Sequence, residues 1–388
     1  MNITIFAQIL QRLPKNKFKT LVNKYQTDKH SKGIDSWTHL VSMLFCQFSK
    51  SNSLRDIHYG LNSATGNLNH YGVNRSPCKS SLSYINEHRN WKLFRDFYLE
   101  VVKSLKLSRQ DKGRLKLKRK IFLLDSTLIG LCLEIFDWAK YRALKGAIKL
   151  HTILDYDGCL PVFVEMTDGL KHDALMAKQF TLPAESVVVG DRGYLDFPLM
   201  YQWHRQNVFF VIRCKENIRF IELEDNTEKR SKPGYENIQG DLIGELELNN
   251  SYKKYPEKLR MVIVYDKETD QYIELFTNNF NWTATTIAQL YKNRWDIENF
   301  FKDLKTHLKI KSFVGTSTNA VLIQIWTAFI TIALMKGFKA IAKHPWHLSN
   351  LINFLRLNLF VKIELQYWLD NPFIPEKPPD ESVQYTFF

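Results

Sequence analysis

The sequence predicts an α/β protein in which an all-α N-terminal region precedes a mixed β-sheet with flanking helices. Segments of helical length, with apolar residues spaced along one face, fill residues 3–104. Short apolar runs typical of buried strands begin at residue 120 and then alternate with helical segments. The 388 residues, 45% of them hydrophobic, are enough for two or three domains with sizeable cores.

The N-terminal region contains six predicted helices, at residues 3–12, 15–25, 37–49, 54–62, 79–89 and 91–104. The segment 76–89 begins with Ser and Pro and offers Lys, Ser, Asn and Arg side chains, which suit contacts to bases and phosphates. It is therefore a candidate DNA-recognition helix. A helical bundle without that role is the alternative.

The first candidate site residue, Asp125, follows the apolar run 120–124, which predicts a buried strand. Two runs of alternating apolar residues, 147–155 and 160–166, flank Asp157-Gly158, a dipeptide typical of hairpin turns. Three antiparallel strands are thus predicted, with Asp125 at the C-terminal end of the first. Taken alone, Asp125 also fits a turn or cap residue.

A second acid, Asp191, ends the β-branched run 186–190 and precedes Arg192 and Gly193, which predict a turn. Two helical segments and one further strand complete the order β-β-β-α-β-α-β, at residues 173–180, 197–206 and 208–213. This is the order of an RNase H-like, five-stranded mixed sheet, and it places Asp125 and Asp191 at neighbouring strand ends. A loop acid paired with Arg192 is the alternative for Asp191. Other acids compete for a ligand role, namely Asp137, Asp155, Asp157, Asp168 and Asp196.

The most informative segment, residues 291–305, has no Pro or Gly and predicts one helix. At about 100° per residue, four polar side chains fall within roughly 60° of one another. They are Tyr291, Arg294, Glu298 and Lys305. This set suits a metal-bound phosphate, because Glu ligates the cation while Arg and Lys hold phosphate oxygens. A surface helix with an Arg294–Glu298 salt bridge is the alternative.

The spacing Y-x2-R-x3-E-x6-K of this segment resembles the signature of bacterial insertion-sequence transposases of the DDE class, in the group named after insertion sequence four. The run GDRGY around Asp191 resembles the motif at that family's second acid. The resemblance implies an RNase H-like catalytic domain interrupted by a β insertion. It also implies a DNA transposase that binds terminal inverted repeats, cuts out the element and joins its 3′-OH ends to target DNA, with a homodimer in the DNA complex.

In this interpretation Asp125, Asp191 and Glu298 are the catalytic residues and bind two Mg²⁺ or Mn²⁺ ions, which relieve the repulsion between close carboxylates. Six side chains are expected to contact DNA, namely Tyr291, Arg294, Lys305, Trp295, Lys302 and Arg192. For Trp295, stacking on a base is one interpretation, and the alternative of a core-filling Trp is favoured. Two other functions stay open, an RNase H-like nuclease without strand transfer and a non-catalytic DNA-binding protein.

The spacing between Asp191 and Glu298, 107 positions, exceeds what a bare RNase H core needs. The excess contains strand-sized runs at 218–225, 244–250, 259–266 and 271–278, which predict a β-rich insertion. The predicted domains are a helical DNA-binding domain at 1–115, a catalytic domain at 116–215 and 282–345 with the insertion at 216–281, and a C-terminal helical segment and tail at 346–388. Within the last, one helix is predicted at 348–369.

The net charge of +14 indicates a polyanionic partner such as DNA, and cations concentrate at residues 106–120. The five cysteines show no CxxC or metal-finger spacing, so neither disulfides nor zinc sites are expected. The apolar run 320–335 is about one turn too short to span a bilayer and predicts a core helix behind the catalytic sheet. No signal peptide is recognised, and a bacterial cytoplasmic location with nucleoid association is expected.

Overall fold

The computed structural model describes residues 3–31, 33–105, 117–131, 140–142, 145–168, 171–216, 218–227, 237–247 and 249–374. Contacts divide the chain into two compact units, termed the helical unit (Met1–Leu107 with Asp303–Phe388) and the sheet unit (Ser108–Lys302). Most of the predicted basic segment and the end of the predicted tail lie outside the described residues. The predicted division into domains therefore stays a proposal.

The N-terminal part of the helical unit contains α-helices at the six predicted positions. Side chains cap the N-termini of the third and fourth helices. The Asp35 carboxylate accepts a hydrogen bond from the Thr38 amide, and Ser53 and Asp56 form a capping box. A short 3₁₀ helix at Leu68–Tyr71, which was not predicted, precedes the fifth helix. The helices are α1 (Ile5–Gln11), α2 (Lys15–Tyr25), α3 (Ser36–Ser49), α4 (Leu54–Asn62), α5 (Lys79–His88) and α6 (Lys92–Leu105).

The sheet unit is organised around one mixed sheet, to which ten strands contribute among the described residues. The strands are β1 (Ile121–Leu131), β2 (Lys140–Arg142), β3 (Lys145–Asp155), β4 (Leu160–Asp168), β5 (Val187–Gly190), β6 (Phe209–Arg213), β7 (Phe220–Asp225), β8 (Ile238–Leu246), β9 (Leu259–Asp266) and β10 (Gln271–Thr277). The first residues of β1 and all of β5 are buried, as expected for central strands covered on both faces.

The order across the sheet is β2-β3-β1-β5-β6-β10-β9-β8-β7, with β4 also paired to β3. β1 runs antiparallel to β3 and parallel to β5, and β5 runs parallel to β6. The predicted hairpin at Asp157-Gly158 is confirmed, because β3 and β4 pair in antiparallel fashion on either side of it. The strands of the predicted insertion, β7 to β10, continue the same sheet through the antiparallel pair β6–β10.

Among the described residues, five helices follow or connect the strands, namely α7 (Asp173–Ala177), α8 (Phe197–Arg205), α9 (Asn249–Lys254), α10 (Ala284–Lys292) and α11 (Trp295–His307). The last of these continues past Lys302 into the helical unit. One hydrophobic core includes residues from outside and inside the predicted insertion. Trp203 of α8 and Tyr255, just after α9, both pack on Phe210 of β6. The insertion is therefore part of the sheet unit's hydrophobic core.

Three helices complete the helical unit, α12 (Thr318–Ile341), α13 (Leu348–Leu357) and α14 (Leu365–Asp370). By length and composition α12 passes the test for a membrane span, but 89% of its most apolar window is buried inside the protein. It packs against α3, α5, α6 and α13. The predicted core helix is thus confirmed, and it belongs to the helical unit. Its predicted position behind the catalytic sheet stays a prediction.

The helix predicted at 348–369 is interrupted between α13 and α14. In the interruption, the carbonyls of Leu359 and Val361 accept hydrogen bonds from the amides of Phe6 and Ile5. These amides belong to the first turn of α1 and have no partner within that helix. The interruption therefore satisfies a helix terminus far away in sequence, which explains why local periodicity did not reveal it.

Candidate active site

Asp125 lies on β1, and Asp191 directly follows the adjacent parallel strand β5. The pairing of β1 with β5 ends at Leu123 and Val189. Each acid lies two residues beyond this last pair, so both side chains project from the same face of the sheet. Since neighbouring strands lie about 4.8 Å apart, the two carboxylates are neighbours at the place where the strands separate.

β1 does not end at Asp125, and the prediction of a strand-end position is wrong in this respect. The strand continues to Leu131 because β3 pairs with it along this length, with Asp125 opposite Thr152. Pairing with β5 stops at Leu123. Asp125 thus projects from the middle of a strand that is held on its β3 side, which fixes the direction of its carboxylate.

Asp191 is oriented by the turn that follows it. Its Oδ1 accepts a hydrogen bond from the Gly193 amide at 2.9 Å and caps a 3₁₀ helix at Arg192–Tyr194. A Cβ atom at position 193 would lie 3.0 Å from the same oxygen, tighter than nine in ten real Cβ contacts. A side chain at position 193 would therefore require the Asp191 carboxylate to shift by a few tenths of an ångström, which favours the glycine in the GDRGY run.

Arg294 connects Glu298 to the first aspartate. Its Nη2 lies 2.6 Å from Oε1 of Glu298, and its Nη1 lies 3.6 Å from Oδ2 of Asp125. The two carboxylates thus face each other across one guanidinium group. The ring of Tyr291 lies under this group, with its centroid 5.5 Å from the guanidinium carbon, a cation–π distance.

The single helix predicted across residues 291–305 is wrong, because α10 and α11 are separated by Asn293 and Arg294. The Arg294 amide donates to the Tyr291 carbonyl, and the Ile297 amide donates to the Arg294 carbonyl. This i to i+3 spacing is that of a tight 3₁₀ turn. Arg294 therefore sits in a turn between two helices, from which its side chain reaches carboxylates on β1 and on α11.

The acids influence one another electrostatically. Burial raises the pKa of Asp125 to about 7, and the negative charges of Asp191 and Glu298 add to the rise. The Ser126 amide and the Arg294 guanidinium act in the opposite direction. A buried carboxylate with two acidic neighbours is fully ionised at neutral pH only when cations balance its charge.

The other side chains predicted to contact DNA differ in exposure. Trp295 exposes 59% of its surface, so the alternative of a core-filling Trp is wrong. Arg192 and Lys302 are exposed, and Lys305 is partly buried in the last turn of α11. Tyr291, by contrast, is buried, and its ring lies against the Arg294 guanidinium.

A cavity of about 460 Å³ lies beside Tyr291, between α10 and the β9–β10 hairpin. Its lining combines aromatic, cationic and acidic side chains, among them Tyr265, Asp266, Glu268, Tyr291, Lys292 and Trp295. The exposed indole of Trp295 thus borders a concave surface to which the inserted strands contribute.

Two of the competing acids, Asp155 and Asp196, stabilise local structure. Oδ1 of Asp155 accepts from the Asp157 amide in the hairpin turn. Asp196 caps α8 and pairs with Lys178. Asp168 is the last residue of β4, and Asp137 lies outside the described residues.

One polar cluster beside the acids was not predicted. Asp173, the first residue of α7, has Oδ2 2.9 Å from Nζ of Lys149 and Oδ1 3.0 Å from Nδ1 of His151. The Nε2 atom of His151 lies 2.9 Å from Oγ1 of Thr167. The available signal was the pair Lys149 and His151, two polar residues on one face of a strand with few polar residues otherwise.

The donor set suits a hard divalent cation, because carboxylate oxygens are the ligands that Mg²⁺ and Mn²⁺ prefer. In the part of the chain that the structure describes, no three His, Cys, Asp or Glu side chains already surround a common point as metal ligands. Arg294 lies between Asp125 and Glu298 instead. The residues therefore fit such an ion by their chemistry, provided that the Arg294 side chain moves aside.

Comparison with known proteins identifies the family. A family profile described as a transposase DDE domain matches residues 116–334, and one described as a domain of unknown function (DUF4372) matches residues 1–74. A structural match to a piggyBac transposase synaptic complex with hairpin DNA, solved by cryo-EM, covers 97% of this chain and 86% of the piggyBac transposase chain. The sequence identity is 12% and the TM-score is 0.42. That similarity is too low to support a conclusion about this chain.

Three curated relatives are transposases. The probable transposase for insertion sequence element IS5377 of Geobacillus stearothermophilus is 29% identical over 65% of this chain, a match that covers 65% of that protein's length. The putative transposase y4zB of Sinorhizobium fredii is 30% identical over 67% of this chain and 71% of its own. The putative transposase for insertion sequence element IS4SA of Synechocystis is 24% identical over 75% and 80%. The predicted resemblance is thereby confirmed, and the chain belongs to the DDE-domain transposase family.

Proposed function

We propose that this chain is the transposase of a bacterial insertion sequence. It binds the terminal inverted repeats of the element, cuts the element out by metal-dependent phosphodiester cleavage and joins the 3′-OH ends to target DNA. One observation carries the proposal: Asp125 and Asp191 each lie two residues beyond the last pair of the parallel strands β1 and β5, and Glu298 faces Asp125 across Arg294. The names of the curated relatives support it.

The order of the strands supports an RNase H-like catalytic domain. In the series β4-β3-β1-β5-β6, the first three strands are antiparallel and the last three are parallel. Strands β7 to β10, which lie between β6 and α10, support the β insertion proposed at 216–281. We extend the proposal to the domains, with DNA binding at 1–115, catalysis at 116–215 and 282–345, and a C-terminal segment at 346–388.

Asp125, Asp191 and Glu298 would bind two Mg²⁺ or Mn²⁺ ions. When bound, such ions activate a water or a 3′-OH and stabilise the leaving oxygen. The chain itself holds two carboxylates at a fixed spacing through the backbone of β1 and the turn after β5. Arg294 exchanges its carboxylate partners for a phosphate oxygen, since a guanidinium group binds either anion through two parallel hydrogen bonds.

DNA contacts around this site follow from exposure and charge. Lys302 and Lys305 lie about one and two turns past Glu298 on α11. Their ammonium groups contact phosphates, as does the Arg192 guanidinium. Tyr291 keeps Arg294 in place from below. Trp295 stacks on a base next to the cavity, because its indole is exposed and base–aromatic stacking tolerates any sequence.

Recognition of the inverted repeats is proposed for the helical unit. A groove of about 830 Å³ separates α5 from the chain between α2 and α3. Its lining includes exposed cationic, imidazole and phenol groups, namely Lys29, His30, Arg75, Tyr84 and His88. Phosphates match such a surface, and binding there would weaken steeply with salt. α5, predicted as the recognition helix, forms one wall of this groove.

The two ends of an insertion sequence present the same inverted repeat, which favours two symmetry-related copies of the protein. We therefore propose a homodimer in the DNA complex. The same function places the protein on the bacterial nucleoid in the cytoplasm.

The test is incubation of the purified chain with linear DNA that carries both element ends, their flanks and Mg²⁺, together with a target plasmid. Strand breaks at the element ends followed by joined products are expected, and the Asp125→Asn variant should give neither. Breaks without joining would favour the RNase H-like nuclease. Binding without Mg²⁺-dependent breaks would favour the non-catalytic DNA-binding protein.

A further inference from the structure

The cluster around Asp173 is held by two side chains of β3. Asp173 Oδ2 lies 2.9 Å from Lys149, and Oδ1 lies 3.0 Å from His151, whose side chain is 1% exposed. Burial raises the pKa of Asp173, but the neighbouring His151, Lys149 and Ser126 side chains outweigh this effect and lower it to about 2. Asp173 is therefore a charged group in a fixed position at neutral pH.

This carboxylate lies against both residues that orient the candidate catalytic aspartates. On one side the Ser126 side chain helps to lower the pKa of Asp173, and the Ser126 backbone amide donates to Oδ1 of Asp125 at 2.8 Å. On the other side, Oδ2 of Asp173 lies 3.6 Å from the Cβ position of Gly193. The Gly193 amide in turn holds Asp191.

We propose that Asp173 is a positioning residue that sets the spacing between Asp125 and Asp191. It joins the end of the β1–β5 pairing, where the two strands separate, to the rigid β3 strand through Lys149 and His151. In the β1–β3 register His151 is opposite Ser126, so the support acts directly beside Asp125. The proposal rests on the proposed function, because the spacing matters only if the two aspartates share divalent ions.

The simpler interpretation is that Asp173 is an acid at a helix start. α7 has only five residues, so a favourable interaction with its dipole contributes a few tenths of a kcal/mol at most, roughly. A helix-start role would change stability alone. A positioning role changes the affinity for divalent ions while the fold is kept, since residues that orient metal ligands typically change affinity by about 10- to 100-fold.

The test compares Asp173→Asn with Asp196→Asn, which removes the charge of the acid that caps α8 in the same unit. The readout is the Ca²⁺ or Mn²⁺ concentration that half-maximally raises the thermal unfolding midpoint, with DNA binding in EDTA as a check on the fold. Asp173→Asn should weaken divalent binding by about tenfold or more, and Asp196→Asn should leave it unchanged. The proposal would be overturned if wild type and Asp173→Asn needed the same half-maximal ion concentration. It would also be overturned if Asp173→Asn and Asp196→Asn lost affinity for the ion equally.

A second variant keeps the proposal testable if Asp173→Asn does not fold. Thr167→Val removes the hydroxyl that contacts His151 and leaves the Asp173 charge in place. Thr167→Val should weaken divalent binding less than Asp173→Asn does. An unchanged half-maximal ion concentration in Thr167→Val would overturn the proposal. Asp125→Asn separates this failure from failure of the proposed function. If Asp125→Asn removes the divalent response and Asp173→Asn does not, only the role of Asp173 is wrong; if Asp125→Asn also keeps the response, the metal site itself is wrong.

Discussion

Nη2 of Arg294 lies 2.6 Å from Oε1 of Glu298, one helical turn further along the chain. The same guanidinium group reaches Asp125, so one cation compensates two of the three candidate metal ligands. A side chain that binds carboxylates in this way must release them when a divalent ion takes its place. The charge-compensating role of Arg294 and the metal-ligand role of Glu298 can therefore be tested by separate mutations.

Glu298→Gln should abolish cleavage while DNA binding survives. The substitution removes one anionic ligand but keeps the shape of the side chain, so the cleavage rate should fall on the order of a thousandfold. Single-turnover cleavage of an end-labelled DNA measures the rate, and a gel shift in EDTA measures binding. Asp296→Asn is the matched control, because position 296 is about 160° away round the same helix. Cleavage by Glu298→Gln at a rate near that of wild type would remove Glu298 from the catalytic set.

Arg294→Ala should tighten divalent binding and slow cleavage at the same time. Without the guanidinium, Asp125 and Glu298 lose their internal counter-ion. The Ca²⁺ concentration that half-maximally raises the thermal unfolding midpoint should therefore fall several-fold, roughly. Cleavage should fall by about 100-fold because the phosphate loses a bidentate partner. Arg294→Lys, which keeps the charge without the fork, should lie between wild type and Arg294→Ala in both measurements. A weaker response to Ca²⁺ in Arg294→Ala would show that Arg294 supports the ligands and does not compete with the ion.

Gly193→Ala should impair cleavage through Asp191. The added methyl group would lie 3.0 Å from Asp191 Oδ1 and would push the carboxylate away from its position. The carboxylate would have to shift by a few tenths of an ångström. Since a displacement of about 1 Å can reduce a rate by about 100-fold, a loss of severalfold, roughly, is expected. Gly130→Ala is the control, since a Cβ atom there has no heavy atom within 4 Å. Similar cleavage rates for the two variants would mean that the Gly193 turn does not determine the position of Asp191.

The stability of the helical unit should depend on pH through His39. This buried ring lies 2.7 Å from Oδ1 of Asn86, and burial, followed by the Arg89 charge, lowers its pKa from 6.5 to about 3. The unfolded chain therefore binds a proton that the folded chain excludes, and the free energy of unfolding falls as pH drops from 6.5 towards about 3. The slope is at most about 1.4 kcal/mol per pH unit.

Urea unfolding at neutral pH and at about pH 5 measures this contribution. His39→Gln removes the titrating group and keeps a side-chain donor, so it should be less stable at neutral pH but should lose less stability on acidification. If the wild type and His39→Gln lose equal free energy between the two pH values, the prediction for His39 is wrong.

The elements that local patterns determine were predicted well. α2 and α4 have the predicted bounds, because their amphipathic spacing and the Ser53 capping box are local signals. The β3–β4 hairpin is marked by Asp157-Gly158 in the same way. The convergence of Asp125 with Asp191 followed from strand order alone, since the register of a parallel pair is set by the buried runs on either side.

The features that were missed depend on contacts distant in sequence. The break before α11 contains no Pro or Gly, and it accompanies the reach of Arg294 towards Asp125 on β1. β8 was expected at 244–250 but begins at Ile238, in a segment with two glycines and an aspartate. There Asp241 forms a bidentate ion pair with the buried Arg260 of β9. A single stretch of sequence does not reveal such partners, and Asp173 was overlooked for the same reason.

The central claim is that Asp125, Asp191 and Glu298 form one divalent-ion site, and anomalous diffraction tests it most directly. Crystals of the chain soaked in Mn²⁺ should show an anomalous peak within about 2.5 Å of oxygens from both Asp125 and Asp191. The Arg294 guanidinium should then have moved away from Asp125. Mn²⁺ bound only elsewhere, at concentrations that support DNA cleavage, would contradict the account.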